Sequence, residues 1–181
     1  MPDEPRAPAI IIVSGIPGAG KTTVSRLLAQ RFERGVHIES DQLQLMIASG
    51  GLWPDGEPRD EAMRQLRLRG RNCCLLADSF FEAGFTVVID DVVIGSRLDE
   101  FLSDLTSTPV YFVLLTPSPE VVAGRDAGRA EKHVFDKWGH LDEIMRTETR
   151  RAGLWLDSSA MTAPETVDAI LGRVWDEGRV R

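Results

Sequence analysis

The sequence predicts an α/β fold: one domain, residues 1–181, with a parallel sheet wound by helices on both faces. Three observations predict it. Five short apolar runs with little polar alternation read as strands covered on both sides. Helically spaced segments lie between them. A glycine-rich stretch, "SGIPGAGKTT" (14–23), joins the first run to the first helix.

In order, the strands are "AIIIV" (9–13), "GVHI" (35–38), "FTVVI" (85–89), "VYFVLL" (110–115) and "LWL" (154–156). After the first, Val24, Leu27, Leu28 and Phe32 fall at i, i+3, i+4 and i+8, and Gly35 stands beyond them as a stop signal. A longer helix follows the loop "ASGGLWPDGEPRDE" (48–61), with its apolar face expected at Met63, Leu66, Cys73, Ala77 and Phe80. "TPSPEVV" sets Pro119 at a helix start, and "TAPE" (162–165) spaces Thr162 and Glu165 as a capping box. No internal repeat, low-complexity tract or linker divides the chain.

Hydrophobic residues make up 43% of the 181, enough for a substantial core. A formal net charge of -7 opposes a phosphate backbone as the main partner, because that binding needs clustered cations. Cys73 and Cys74 are adjacent in an expected helix, where their side chains diverge, so they read as buried apolar residues in a reducing compartment. The opening "MPDEPRAP" is acidic and proline-rich, and no stretch approaches the ~18 apolar residues of a membrane span. The expectation is a cytoplasmic protein, monomer or homodimer, without membrane contact and with nucleic acid a poor partner.

Gly15 to Thr22, "GIPGAGKT", fits G-x-x-x-x-G-K-[ST] in the setting that motif requires, after a buried strand and before an amphipathic helix. The fold class is accordingly that of P-loop NTPases, and ATP or GTP is the expected ligand, with Mg²⁺. Gly15, Ile16, Pro17, Gly18, Ala19 and Gly20, closed by Lys21, Thr22 and Thr23, form the candidate nucleotide site. Its glycines let backbone N–H groups converge on phosphate oxygens, and the helix start adds a favourable dipole. Lys21 is expected to bridge the β- and γ-phosphates and Thr22 to offer a hydroxyl to Mg²⁺. No "NKxD" occurs, so the guanine-reading element of switch GTPases is missing. "TVVIDD" ends on Asp90 and Asp91, where a carboxylate linked to Mg²⁺ is expected; the sequence leaves open which of the two serves it, and a plain polar strand end is the alternative.

The run "IESDQLQ" (38–44) closes the second strand. In a P-loop enzyme that tip faces the γ-phosphate, so Asp41 is a candidate base for an acceptor hydroxyl, with Glu39 two residues earlier and on the same side if the strand continues. Asp41 and Gln44 also have capping-box spacing, so the same carboxylate could start a helix. In "AGRDAGRAEKHVFDKWGH" (123–140), Arg125 and Arg129 share a helix face and make a candidate lid over about 125–140 that stabilises transferring charge. Asp126 and Glu131 offer the alternative of a solvated, self-neutralised helix end. Trp138 and the glycines around it either hinge that lid or pack it. Trp53, in a turn-rich loop, either lines a pocket or tucks against the core edge. Arg64, Arg67 and Arg71 form a helical stripe that is solvated or, facing the cleft, lets Arg67 and Arg71 meet an anionic or strongly polar acceptor. His37, His133 and His140 show no metal spacing.

Together, "SGIPGAGKTT", Asp41 after the second strand, "TVVIDDVVIG" (86–95) and "GRDAGR" (124–129) resemble small P-loop kinases of the chloramphenicol phosphotransferase-like and zeta-toxin-like group, with gluconate and shikimate kinases more distant. The match runs in order over most of the chain, and only the P-loop is specific by itself. The resemblance implies a five-stranded parallel sheet in the order 2-3-1-4-5, helices on both faces, a helical lid, ATP with Mg²⁺, Asp41 as the base, and Arg125 and Arg129 as lid residues. The loop 48–61 matches no antibiotic-binding segment. The expected function is an ATP-dependent phosphotransferase moving the γ-phosphate to a hydroxyl of a small molecule, such as an antibiotic, sugar or nucleoside. A nucleic-acid 5′-hydroxyl kinase and a nucleotide-binding regulatory ATPase are the alternatives.

Overall fold

Strands β1 (Ile10–Ser14), β2 (Gly35–Glu39), β3 (Thr86–Asp90), β4 (Val110–Leu115) and β5 (Leu154–Leu156) pair in parallel in the order β2-β3-β1-β4-β5. They belong to a computed structural model that describes residues 8–127 and 140–181. β1 is central, running from Ile10↔Val87 to Val13↔Asp90 along β3 and from Ile10↔Val110 to Ser14↔Leu114 along β4. Every residue of β1, β3 and β4 is buried, which is why these runs carry no polar alternation.

The helices are α1 (Lys21–Ala29), α2 (Ser40–Leu45), α3 (Arg59–Glu82), α4 (Arg97–Asp104), α5 (Pro119–Ala127), α6 (His140–Thr147) and α7 (Ala163–Glu177). Parallel crossovers are right-handed, so the direction of each move along the sheet decides the face its helix takes. β1 crosses outward to β2 through α1, whereas β2 to β3 and β3 to β4 move the opposite way. α1 therefore lies with α7 on one face, and α3 with α4 against it lies on the other. β1 thus leads to a different face from its neighbours β3 and β4, and the loops part above its C-terminal end to leave a crevice.

Two local readings of the sequence are corrected. α1 ends at Ala29, so Phe32 lies beyond it and Gly35 is not its stop; Gly35 opens β2, as the strand at 35–38 predicts. A Cβ at Gly35 would fall 1.8 Å from the Ala29 carbonyl oxygen, so close backbone approach, rather than helix termination, requires glycine there. On α3 the buried residues are Ala62, Gln65, Arg69, Gly70, Cys73, Cys74, Ala77 and Asp78, while Met63 and Phe80 are exposed and Leu66 is half-buried. The helix turns a partly polar face inward because the site above the sheet supplies partners for it. Cys73 and Cys74 are free and buried, and burial pushes the Cys74 thiol up to about 12, so neither is a reactive thiolate. The capping box of α7 is present, with the Glu165 amide donating to Thr162 Oγ1 and the Thr162 amide donating to Glu165 Oε2.

Asp78, on the inner face of α3, accepts from the Thr106 and Ser107 amides and from the Thr106 hydroxyl at 2.8–3.2 Å, fastening the turn before β4. Burial raises its pKa, but those donors outweigh it and hold the carboxyl below its ordinary value. Its contribution to stability is therefore present above the unfolded carboxyl pKa of ~3.9 and lost as pH falls through the lower folded value. Asp78→Asn is expected to cost about 1–3 kcal/mol at neutral pH, with the gap from the unmodified protein closing in strong acid. Urea unfolding of both forms across pH checks this.

Candidate functional site

β1 delivers the chain to the crevice at Ser14, whose hydroxyl donates to the Val93 carbonyl and accepts from the Val93 amide, both at 2.9 Å. That reciprocal pair ties the loop after β1 to the segment after β3. Gly15, Gly18 and Gly20 then take φ of 151°, 88° and 93°. A Cβ at Gly15 would stand 2.8 Å from the Leu115 carbonyl oxygen and one at Gly18 2.8 Å from Val122 Cγ1, so glycine is required on both grounds. Gly20 is left-handed and caps α1, so Lys21, Thr22 and Thr23 form the helix's first turn. Lys21 Nζ reaches back across the loop to donate to the Ile16 carbonyl at 3.2 Å. Ile16 and Ala19 are buried, Pro17 is half-buried, and Thr22 and Thr23 are exposed. A helix N-terminus, bent backbone and a lysine converging at one point form an anion cradle.

A groove of about 270 Å³ adjoins the cradle, between Gly18, Ala19 and Thr23 on one side and Met161, Thr162 and Thr166 on the other. The stretch leading into α7 thus supplies its outer wall.

β3 ends on the other side of β1 with two carboxylates that have different surroundings. Asp91 accepts from Arg69 Nη2 at 2.8 Å, Arg97 Nη2 at 2.9 Å and the Val92 amide at 2.8 Å, with its side chain 1% exposed. Burial raises its pKa, but Arg97, Arg69, the Ser40 hydroxyl and the Val92 amide together bring it below the ordinary carboxylate value. Both oxygens of Asp91 are occupied by guanidinium groups. Asp90 stands beside Val13 in the ladder. Its Oδ2 is buried without a hydrogen-bond partner and lies 3.6 Å from His37 Nε2. A buried carboxylate oxygen left unbonded next to the cradle, with Thr22 on the first turn of α1, fits a hard cation.

At the tip of β2 the helix-cap reading of Asp41 is corrected. Glu39 is the extended N-cap of α2, makes no side-chain cap bond, is half-buried and pairs in register with Asp90. Asp41 lies inside the first turn, so it is not the cap. Its side chain is 51% exposed and its Oδ1 accepts from Arg69 Nη1 at 3.3 Å. Gln44, the other half of the expected capping box, donates instead to the Leu52 carbonyl at 2.9 Å and to Gln65 Oε1 at 3.3 Å. Gln65 in turn accepts from the Leu52 amide at 2.7 Å and donates to the Gly50 carbonyl at 2.9 Å. Two glutamines therefore hold the loop that carries Trp53, which is itself exposed rather than tucked into the core.

The arginine stripe of α3 does not meet this cluster. At 100° per residue Arg64, Arg67 and Arg71 point away from Arg69. Arg64 pairs with Glu61, and Arg67 pairs with Asp104 and Glu100 of α4; Arg71 is exposed. Arg125 falls in the last turn of α5. Arg129, Trp138 and the rest of the expected lid across 128–139 lie outside the described residues.

Three site-building residues escape sequence reasoning: Ser14, Arg69 and Arg97. Arg69 had a visible signal, since it precedes Cys73 by four and Ala77 by eight, a cation in step with the buried stripe. Gly70, one residue on, makes room: a Cβ there would meet Phe101 Cε2 at 3.0 Å and Arg97 Nη2 at 3.4 Å.

The chain belongs to the AAA_33 family, described as an AAA domain, which matches residues 10–150. Its fold is similar to that of a sugar kinase from Janibacter sp. HTCC2649, with 19% identity, a TM-score of 0.65 and coverage of 94% of this chain and 95% of that one. A gluconokinase from Sinorhizobium meliloti 1021 is 23% identical, with a TM-score of 0.62 over 92% of this chain and 91% of its own. The Mycobacterium tuberculosis APS kinase CysC, in complex with AMPPNP and APS, is 16% identical, with a TM-score of 0.62 and coverage of 93% and 98%. The search of curated protein sequences finds no match.

Removing one member of the buried ionic cluster leaves the others uncompensated. Asp91→Asn is expected to destabilise the fold by about 3–5 kcal/mol, because two guanidiniums lose their shared carboxylate. Chemical denaturation at neutral pH measures the loss.

Proposed function

We propose that the protein is an ATP-dependent kinase that moves the γ-phosphate of ATP to a hydroxyl of a small molecule. The observation that carries this reading is Asp41, a half-exposed carboxylate at the same end of the sheet as the phosphate cradle, with one oxygen held by a buried arginine. The family assignment supports it, as do the kinase names of the structural neighbours, one of them complexed with an ATP analogue. The resemblance to the chloramphenicol phosphotransferase-like and zeta-toxin-like group belongs to the same reading.

In this mechanism the backbone of Gly15 to Gly20 and the Lys21 ammonium hold the phosphates, and the groove walled by Met161, Thr162 and Thr166 receives the base. Thr22 and Asp90 would hold Mg²⁺, which would neutralise charge on the phosphate oxygens. Asp41 takes the proton of the acceptor hydroxyl as its oxygen bonds to the γ-phosphorus; the bond from that phosphorus to the β-phosphate oxygen breaks, and ADP leaves. Arg69 fixes the carboxylate, and Asp91 with Arg97 fixes Arg69. Arg125 and Arg129 are assigned to stabilising the transferring group. Trp53 and Glu39 are assigned to the acceptor side, on the loop and strand tip that flank Asp41.

The test is incubation with γ-labelled ATP and a panel of sugars, sugar acids, antibiotics, nucleosides and oligonucleotides. One class of small molecule is expected to gain label. Asp41→Asn is expected to keep nucleotide binding while losing transfer by about 10²–10⁴-fold. Label passing only to water, at equal rates in both proteins, would overturn the reading in favour of a regulatory ATPase.

A further inference from the structure

β3 runs into α4 through the turn from Asp91 to Arg97, which is fastened to three different parts of the molecule. Asp91 and Arg97 belong to the buried ionic cluster that reaches Asp41 through Arg69. Val93 exchanges two hydrogen bonds with the Ser14 hydroxyl at the foot of the cradle. The third fastening belongs to neither. The Gly95 amide donates to Thr149 Oγ1 at 2.8 Å. Thr149 stands two residues past the end of α6, on the stretch leading to β5, and is 5% exposed. Gly95 is itself buried and left-handed, with φ of 59°. A Cβ there would meet Ile144 Cγ2 at 3.5 Å, so α6 lies directly against the turn.

We propose that Thr149 is a positioning residue for nucleotide binding, acting on the cradle through Gly95, Val93 and Ser14. It touches no phosphate. The inference rests on the reading of Gly15 to Lys21 as a nucleotide site. A buried amide needs an acceptor, and the one Gly95 finds is a hydroxyl whose threonine side chain is stiff at χ1. Only Ile94 separates Gly95 from Val93, so a shift of one carries the other with it. Val93 in turn holds Ser14 through both its amide and its carbonyl, and Ser14 leads directly into Gly15. The cradle binds by converging main-chain amides, and a loop that keeps that shape only part of the time binds more weakly by that fraction. Thr149 fixes the part of the turn that would otherwise be free to drag Val93 and Ser14 out of place. The nucleotide then meets a loop already shaped for it.

Calorimetric binding of AMPPNP with Mg²⁺ to the full chain tests this without relying on phosphoryl transfer. Thr149→Val keeps the shape of the side chain and removes the acceptor. It is expected to weaken binding by about tenfold, as a cradle competent about a tenth of the time would. Thr149→Ser, which keeps the hydroxyl, is expected to keep the affinity. Ser14→Ala is expected to weaken binding by a similar factor, and Thr149→Val added to it to weaken binding no further, because both act through Val93. Asp78→Asn loosens the turn before β4, at the other end of the sheet, and is expected to bind like the unmodified chain despite its lost stability. In the unmodified chain, deuterium uptake across 92–97 is expected to slow when AMPPNP binds, a reading that needs no variant. Full affinity in a folded Thr149→Val chain would overturn the proposal. So would an equal loss in Thr149→Ser or Asp78→Asn, losses that multiply in the double variant, or uptake across 92–97 indifferent to AMPPNP. An unmodified chain that binds no AMPPNP would instead remove the nucleotide site, and this inference with it.

Discussion

Asp91 is a carboxylate enclosed almost completely by protein and flanked by Arg69 and Arg97. Isolated burial of that charge would be prohibitive; two guanidiniums, the Ser40 hydroxyl and the Val92 amide make it tolerable. The rest of the site is arranged around this cluster. Arg97 opens α4, Arg69 lies midway along α3, and the Arg69 fork continues to Asp41 on α2. One buried charge therefore relates three helices to the end of β3. It does so with the directional bonds of a guanidinium rather than the non-directional packing of the core. The arrangement gives α3 its odd inner face, polar at the site end and apolar toward Ala77.

The two sides of the crevice are built on different principles. The phosphate cradle is main-chain geometry: three glycines in left-handed or near-extended conformations, closed by Lys21 and pinned by Ser14 to Val93. Its shape follows mainly from backbone conformation at the glycines. The Asp41 side is side-chain geometry, with each group held by another that is itself held. That difference suits a scaffold in which nucleotide handling is constant and acceptor handling varies.

The strands and the cradle were legible in the sequence because both are local. Five unalternated apolar runs were enough to identify the strands, and the eight residues from Gly15 to Thr22 contain nearly all of the loop's chemistry. Strand order was not local and came from resemblance. The functional pairings were the least readable, because each joins residues far apart in the chain: Ser14 with Val93, Arg69 with Asp91, Gln44 with Gln65. Counting arginines along one helical stripe selected Arg67 and Arg71, while the residue that reaches the carboxylates sits on the opposite side of the same helix. Capping rules misread Asp41 and Gln44 for a related reason. Their spacing was right, but tertiary partners offered Gln44 better bonds than its own helix end.

The fastening of α2 to α3 is of two kinds placed one turn apart. Asp41 to Arg69 is an ion pair with a half-exposed carboxylate, and mobile ions weaken such a pair. Gln44 to Gln65 and Leu52 is amide to amide and amide to backbone, indifferent to ionic strength and to proton concentration alike. In concentrated electrolyte the carboxylate end of α2 would loosen while the end holding the Trp53 loop stayed shut, so the short helix would pivot about its glutamine rather than detach.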